Sequence, residues 1–439
     1  MLRRVSSISL LLVLLAAASA PAVSDDGSPL ARRVREVAAQ IVADPRPDAA
    51  AYHPEFLAQV PLAQLTGVFK QFFDKAGAVT RTEETSARGA DYGEYRFHTA
   101  QGMTFPVKLG IETAAPYRIH TLWFGLPQAD AQSADDVVAK LRALHGRASL
   151  AVWRLDGGQP RLLHGLQPDL PLAIGSTFKL YVLGALVQEI EAGKLAWDGV
   201  VRLDEGRLSW PSGVLQGWPA GSPVTLHTLA SEMISISDNT AADHLLFTVG
   251  RAKVEAAQQA LGHAQPALNT PFLGTRELFL LKETGHADRA QAYLALDAAG
   301  RRAYLDGPVA QLSRAGFAGT DPLAPAAIDR LEWFASASDL CRAMDWLRRH
   351  TDGGAQSPAA AARGVLAINP GTDLDRATWP YIGFKGGSEP GVLNLTWLLQ
   401  RRDGAWFAVS ASWNDPAQSV DTTELVALMQ GLIGVLAKE

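Results

Sequence analysis

The chain has 439 residues, of which 47% are hydrophobic and 19% charged, and this composition excludes a disordered or fibrous protein. Its 40 Lys and Arg residues are fewer than its 45 Asp and Glu residues. The net charge near −5 leaves no basic surplus to neutralise a phosphate backbone, so we expect no nucleic-acid partner. The single cysteine, Cys341, excludes an intrachain disulfide, and its apolar helical context predicts a buried, inert thiol.

The first residues have the pattern of an export signal rather than of a folded element. Arg3 and Arg4 precede an apolar stretch over residues 8–18, and the small residues Ala18 and Ala20 suit a cleavage site. Cleavage after Ala22 is the alternative. We predict a signal peptide over residues 1–22 and a periplasmic or secreted mature protein. No other stretch is apolar over the length of a membrane span, so none is expected.

Residues 29–126 predict a small α+β domain. Apolar residues at three- and four-residue spacing indicate helices over Arg33–Val42 and Leu62–Phe73. Runs rich in β-branched and aromatic residues then predict three strands, Tyr92–His98, Thr104–Glu112 and Tyr117–Phe124. The short polar stretch 127–134 has the composition of a linker.

Residues 135–439 predict a second α+β domain, with strands at both ends and a mostly helical middle. The predicted strands are Ser149–Leu155, Pro160–Gly165, Tyr381–Lys385, Val392–Arg401 and Ala405–Ser412. A final helix is predicted over Thr422–Leu436. This order favours one antiparallel sheet built from both ends of the domain, with a helical subdomain beside it. The Ala-rich stretch Asp288–Asp329 has no evident role.

A Ser-x-x-Lys pair, Ser176 and Lys179, stands where Gly175 leads into a predicted helix over 176–193. Residues three apart share a helix face, so the Lys179 amine can reach the Ser176 hydroxyl. A serine becomes a nucleophile when a base takes its proton, and a lysine with a lowered pKa can be that base. The alternative for this pair alone is a helix-capping serine followed by a solvated lysine.

A second polar element, Ser237-Asp238-Asn239, lies between the predicted helices Leu226–Ile236 and Thr240–Val249. A short polar turn between apolar helices can present a hydroxyl and an amide to a cleft. Alone, it is also an ordinary turn, because Ser, Asp and Asn are common there.

A third element, Lys385-Gly386-Gly387-Ser388, leaves the end of a predicted strand. The glycines allow close approach of a ligand or another backbone, and Lys385 supplies a charge for a substrate carboxylate. The alternative is a glycine-rich turn with a surface lysine. The three elements together, in this order, indicate a serine hydrolase more strongly than any one of them.

The sequences around these elements resemble class A β-lactamases and penicillin-binding proteins. The similar runs are LAIGSTFK at Leu172–Lys179, SGVLQ at Ser212–Gln216 and LASEMISISDNTA at Leu229–Ala241. The resemblance covers roughly residues 135–439 and implies a class A β-lactamase-like (α-β-α) fold for that domain. With a helix-and-strand domain in front, the chain looks most like the two-domain β-lactamase-like proteins associated with clavulanic acid gene clusters. That likeness implies a steroid-isomerase-like (cystatin-like) fold for residues 29–126.

The resemblance implies a role for each residue of the three elements. Ser176 would attack an acyl carbonyl with Lys179 as base, and Ser237 would pass a proton to the leaving group. Asn239 would hold the substrate amide, and Lys385 and Ser388 its carboxylate. The backbone N–H groups of Ser176 and Ser388 would form the oxyanion hole. No metal or other cofactor is implied, and the expected partner is a small-molecule substrate: a β-lactam, an ester or a peptidoglycan-like peptide.

Three features depart from the family pattern. Class A enzymes carry a glutamate after the Ser-Asp-Asn element that activates the deacylating water, and no Glu-x-x-x-Asn stands between Val249 and Glu277. Glu255 and Glu277 are present, but Glu277 is better suited to the first turn of a helix than to the role of a base. Gly386 replaces the usual Thr or Ser, and the 148 positions from Ser237 to Lys385 indicate an inserted segment.

Three functions therefore remain open from the sequence. The first is a hydrolase of β-lactams or related esters, such as a weak β-lactamase or a cephalosporin esterase. The second is a D-Ala-D-Ala peptidase, which shares the three elements and lacks the glutamate. The third is a β-lactam-binding protein that is acylated at Ser176 and turns over slowly.

Overall fold

The computed structural model of the protein describes residues 27–155, 159–352 and 357–439, so the predicted signal peptide lies outside the described residues. The chain divides into two compact units, with the boundary between Asp130 and Ala131. Each unit contains one main antiparallel sheet with helices, as the strand and helix patterns predicted. Within the described ranges, no helix is both long enough and apolar enough to cross a bilayer.

The first unit begins with three helices and continues with a sheet. The helices are α1 (Pro29–Ala39), α2 (Pro54–Gln59) and α3 (Leu62–Ala76). The strands are β1 (Val79–Ala87), β2 (Tyr92–Thr99), β3 (Met103–Ile111), β4 (Ile119–Phe124) and β5 (Gln128–Ala129), in the order β1-β2-β3-β4 with β5 also on β3. The apolar stripe of α1 and α3 supplies fully buried side chains such as Val34 and Phe69, which pack with Phe97 and Phe105 of the sheet.

Two strands of this unit were missed by the sequence prediction. Strand β1 has mostly exposed, polar residues because it lies at the edge of the sheet, so it lacks the alternating apolar pattern. Strand β5 lies inside the predicted linker 127–134, where Met103 and Thr104 pair with Ala129 and Gln128. The predicted linker was therefore wrong for these two residues.

The second unit combines a five-stranded sheet with eleven helices among its described residues. The helices are α4 (Ala134–Ala143), α5 (Lys179–Glu191), α6 (Leu226–Ser235), α7 (Asn239–Val249), α8 (Arg251–Ala260), α9 (Thr275–Leu281), α10 (Ala287–Leu294), α11 (Ala298–Tyr304), α12 (Ala337–His350), α13 (Ala361–Ala367) and α14 (Thr422–Leu436). The main strands are β6 (Arg147–Arg154), β7 (Arg161–Leu166), β12 (Tyr381–Glu389), β13 (Val392–Gln400) and β14 (Trp406–Asn414). Short strands β8 (Leu172–Ala173), β9 (Val200–Arg202), β10 (Pro223–Thr225) and β11 (Phe334–Ala335) form two separate pairs.

The five-stranded sheet has the order β12-β13-β14-β6-β7, so strands from both ends of the unit meet where β14 pairs with β6. This arrangement confirms the predicted antiparallel sheet. The helical subdomain centres on α5, which is apolar around nearly its whole circumference and is buried accordingly. Cys341 on α12 is buried in the same core, as expected, and burial raises the pKa of its thiol.

Two element boundaries next to the sequence motifs differ from the prediction. Strand β12 continues through Lys385, Gly386, Gly387 and Ser388 to Glu389, because β13 pairs with it over its whole length. The third motif is therefore part of an edge strand and does not leave the strand end. The helix predicted from Ser176 begins as a 3-10 turn over Gly175–Phe178, and α5 starts at Lys179.

Candidate active site

Ser176 lies on the 3-10 turn that joins β8 to α5. Gly175 precedes it with φ of +47°, a left-handed conformation that favours glycine. The chain before the turn is fixed by Asn414, whose side-chain amide accepts from Ala173 N at 2.8 Å and donates to Ala173 O at 3.0 Å. Ile174 N donates to Trp333 O at 3.0 Å. The backbone that leads into Ser176 is thus held by the Asn414 side chain and the Trp333 carbonyl.

Lys179 is fully buried, and its amine contacts two residues besides Ser176. Nζ lies 3.1 Å from Ser176 Oγ, 3.0 Å from Ser237 Oγ, 2.6 Å from Ser237 O and 2.7 Å from Asn239 Oδ1. In its neutral form the amine donates its two N–H groups to the two carbonyl-type oxygens. Its lone pair then accepts a hydrogen bond from one of the two hydroxyls at a time. An amine in contact with the nucleophile and with a second hydroxyl can receive a proton from one and return it through the other.

The pKa of Lys179 lies well below its ordinary value near 10.5. Burial is the main cause, because the charged form loses its hydration, and the nearby amine of Lys385 adds to it. Asp243 and Asp238 act in the opposite direction but do not reverse the shift. The neutral amine that a general base requires is therefore favoured at this position.

Ser237 places its hydroxyl between the two amines. Its Oγ is 3.0 Å from Lys179 Nζ and 3.1 Å from Lys385 Nζ. The residue has φ of +60°, a left-handed conformation that a non-glycine residue adopts only when its surroundings hold it there. Buried Asp238 supplies that support, since its carboxylate accepts from Val214 N at 2.6 Å and Leu215 N at 2.9 Å.

Asn239 is the first residue of α7, and its side-chain amide bridges Lys179 and the backbone of Trp210. Its Oδ1 accepts from Lys179, and its Nδ2 donates to Trp210 O at 3.1 Å. Since the amide nitrogen carries two protons, one N–H is left to meet a substrate. The residue lines the same cleft as Ser176.

Lys385 is buried on β12, and its amine contacts Ser237 Oγ and Gly386 O. Burial lowers its pKa to about 7. No carboxylate forms a described salt bridge with Lys385 or with Lys179, so both amines remain available to a substrate or a proton.

Gly387 explains why the third motif needs a glycine. A Cβ on Gly387 would lie 2.4 Å from Ser176 N and 2.2 Å from Ile174 O, so no other residue fits without moving the nucleophile turn. Ser388 lies equally close to the nucleophile turn, since a Cβ added to Gly175 would be 3.0 Å from Ser388 N. The backbone around Ser388 and the backbone of Ser176 are therefore in direct contact, as an oxyanion hole between them requires.

Ser176 lines a cleft with a cavity volume of about 310 Å³. Gly175, Asn239 and Ser388 line it as well. The inserted segment after α9 also contributes to the lining, with Thr320, Asp321, Ala324 and Ala326. The Ala-rich stretch without an evident role in the sequence thus lines the candidate active site.

Glu255 and Glu277, the two glutamates that the sequence offered as a deacylation base, do not lie in the cleft. Glu277 is buried in the first turn of α9, where it caps Gly274 N at 2.7 Å and binds Arg251 at 2.5 and 2.9 Å. This confirms its interpretation as a helix first-turn residue. Glu255 binds Arg302 and Phe272 N. Among the described residues, neither glutamate lines the cleft.

The carboxylates that do line the cleft were not identified from the sequence. They are Asp321, Glu332 and Glu389, and Lys282 lies between the last two. Glu389 directly follows Ser388, so its position one residue beyond the third motif was the only available signal. No group of His, Cys, Asp and Glu side chains suited to a metal ion is found over residues 27–155, 159–352 and 357–439.

Comparison with known proteins identifies one matching family. Residues 132–302 match the Beta-lactamase2 model, which is described as a β-lactamase enzyme family. The match includes Ser176, Lys179, Ser237 and Asn239, and it supports a serine hydrolase. No curated protein sequence matches the chain.

Several solved structures are similar to the chain. A β-lactamase from Sphaerobacter thermophilus DSM 20745 has 21% identity and a TM-score of 0.47, covering 69% of this chain and 94% of that one. PBP-A has 15% identity and a TM-score of 0.46, over 70% and 96%. An ancestral class A β-lactamase (GNCA) has 19% identity and a TM-score of 0.47, over 69% and 97%.

Proposed function

We propose that this chain, a serine hydrolase of the β-lactamase and penicillin-binding superfamily, acts on β-lactams or related esters and amides through acylation of Ser176. One observation carries the proposal: the buried Lys179 amine lies within hydrogen-bond distance of both Ser176 Oγ and Ser237 Oγ. The family match over residues 132–302 supports the same substrate class.

Acylation follows from these contacts. Lys179 takes the Ser176 proton as Oγ bonds to the acyl carbon, and the N–H groups of Ser176 and Ser388 hold the developing oxyanion. The bond from the acyl carbon to the leaving group then breaks. Ser237 gives its proton to that group and is re-protonated by Lys385 or Lys179, which lie at 3.1 and 3.0 Å.

Substrate orientation in this proposal comes from three groups. The free N–H of Asn239 meets the substrate amide, while the Lys385 amine and the Ser388 hydroxyl bind its carboxylate. A β-lactam carries both an amide and a carboxylate, so the cleft offers a partner to each. Export and a periplasmic or secreted location stay predictions from residues 1–22.

A chromogenic cephalosporin with intact-mass measurement tests this function. We expect the mass of one acyl group to appear on the wild-type protein and to be absent from Ser176→Ala. A matched control is Ser231→Ala, because this serine lies on α6 and does not line the cleft. Unchanged hydrolysis by Ser176→Ala would refute the nucleophile.

A second candidate function is a β-lactam-binding protein with slow turnover. It is favoured by the positions of Glu255 and Glu277, which are both held in ion pairs away from the cleft. In the same mass experiment, an adduct that persists for hours would support this function, and steady hydrolysis would support the first.

A further inference from the structure

A second cluster of charged side chains lies in the cleft, apart from the residues used for acylation. Lys282, at the end of α9, is 4% exposed and binds Glu332 at 2.8 Å and Glu389 at 2.5 Å. The Glu332 side chain is fully buried, whereas that of Glu389 retains 23% exposure. All three residues line the cleft that contains Ser176.

This cluster holds one more carboxyl group than it has cations. Burial raises the pKa of Glu389 well above its usual range, and the neighbouring Glu332 raises it further, while Lys282 lowers it. Burial alone would lower the pKa of Lys282, but the two glutamates reverse that and raise it. Lys282 therefore stays charged, and Glu389, which also shares a side-chain hydrogen bond with Glu332, can hold a proton in this cluster.

Both glutamates are attached to backbone that contacts the nucleophile turn. Glu389 is adjacent to Ser388 on β12. Glu332 is adjacent to Trp333, whose carbonyl accepts from Ile174 N and whose ring stacks on Phe178 at 3.8 Å. The cluster is thus positioned by the same contacts that position Ser176.

Glu389 is the carboxylate of the ion-pair cluster that is partly exposed, and it directly follows Ser388 on β12. Glu332 is fully buried, and its second oxygen accepts from Trp333 N at 3.2 Å. Asp321 is exposed and lies on the inserted segment, where its Oδ1 accepts from Leu323 N and Ala324 N. Lys282, Glu332 and Asp321 are the other charged residues that line the cleft with Glu389.

We infer that Glu389 is the general base that activates water for release of the acyl group from Ser176, with Lys282 and Glu332 as positioning residues. The inference rests on the proposed function, because it needs an acylated Ser176.

The water oxygen bonds to the acyl carbon while one water proton passes to Glu389. The bond between that carbon and Ser176 Oγ then breaks, and Oγ takes a proton from the ammonium form of Lys179. Glu389 releases its proton to solvent, Lys385 regains the proton that it gave to Ser237, and Lys179 is again the neutral amine that acylation needs, so ester and water yield acid and free serine.

Glu389→Gln keeps the size and the hydrogen bond to Lys282 but removes the base. With a chromogenic cephalosporin, we expect deacylation to slow by about 10²- to 10⁴-fold, while acylation stays within about threefold of wild type. The acyl-enzyme should then accumulate in intact-mass spectra. Glu255→Gln, the same substitution at a glutamate that does not line the cleft, is the control and should change neither step. Equal deacylation by Glu389→Gln and wild type would overturn the inference.

The pH profile of deacylation separates a base from a structural ion pair. In the wild type, deacylation should accelerate as pH rises, because Glu389 must lose its proton to act. Glu332→Gln removes the neighbouring negative charge, so the rise should move to lower pH. A profile unchanged by Glu332→Gln, or a wild-type adduct that never hydrolyses, would refute Glu389 as base. Neither result touches the proposed acylation, which fails only if Ser176 acquires no adduct.

Discussion

Buried lysines at two places, beside Ser176 and in the lining of its cleft, have opposite electrostatic properties. Lys179 and Lys385 lie side by side among hydroxyl and carbonyl oxygens, and burial lowers the pKa of each. Lys282 is equally buried but lies between Glu332 and Glu389, and its pKa is raised. Burial is common to both, so the partners decide which lysine is a cation and which can be a base.

The difference in partners also means that the two lysines contribute to different properties, Lys179 to catalysis and Lys282 to stability. A buried amine without a carboxylate partner has a lowered pKa and can transfer protons, whereas removal of a paired amine leaves its carboxylate buried without a counter-charge. Removal of Lys179 or Lys282 should therefore damage different properties of the protein.

The largest expected effect is on activity. In Lys179→Met, the Ser176 hydroxyl keeps its position but loses its base, so acylation should slow by about 10²- to 10⁴-fold. The free energy of unfolding should fall less than in Lys282→Met, because the variant removes hydrogen bonds to Ser237 O and Asn239 Oδ1 but leaves no buried carboxylate without its cation. Intact-mass time courses and urea unfolding measure the two quantities. Acylation within tenfold of wild type would contradict the assignment of Lys179.

The next effect is on stability. Lys282→Met leaves two buried carboxyl groups without their cation, and loss of one partner of a buried ion pair costs about 3–5 kcal/mol. Urea unfolding should show this loss, and the further change Glu332→Gln in the same chain should restore part of it. A loss below about 1 kcal/mol would mean that the ion pair contributes little.

The sequence motifs predict the site around Lys179 and Lys385, but they do not predict the ion-pair cluster around Lys282. Ser176, Lys179, Ser237 and Lys385 stand in short motifs whose order is recognisable, and the structure brings their side chains together. Lys282 and Glu332 carry no such pattern, because their pairing depends on how the segment between α9 and β11 folds over the cleft. An ion pair between residues 50 positions apart leaves no local periodicity to detect.

The same distinction applies to the fold. The sheet strands β13 and β14 are mostly apolar and almost fully buried, and their prediction is confirmed to within a few residues. The polar edge strand β1 and the two-residue strand β5 are specified by their neighbours in the sheet rather than by their own residues. Sequence pattern therefore locates the core of each unit better than its edges.

A third prediction concerns pH and uses the lowered pKa of Lys385. Its amine is half charged near pH 7 and loses its charge as pH rises. For a substrate with a carboxylate, kcat/KM should therefore fall by up to about tenfold per pH unit above that value. A neutral ester substrate is the matched control and should show a smaller fall, because Lys385 then acts only as a proton donor to Ser237. The same fall for both substrates would show that the Lys385 charge does not bind the substrate carboxylate.

The smallest expected effect separates the Lys385 charge from the neutral hydrogen bond beside it. Ser388→Ala removes an exposed hydroxyl but keeps the backbone N–H next to the nucleophile turn. A hydrogen bond of this kind contributes about 0.5–1.5 kcal/mol, so KM for a carboxylate substrate should rise about 2- to 10-fold with kcat unchanged. The decline of kcat/KM with pH should persist in this variant, because Lys385 and not Ser388 loses the charge. Loss of that pH dependence in Ser388→Ala would show that the two groups do not act separately on the carboxylate.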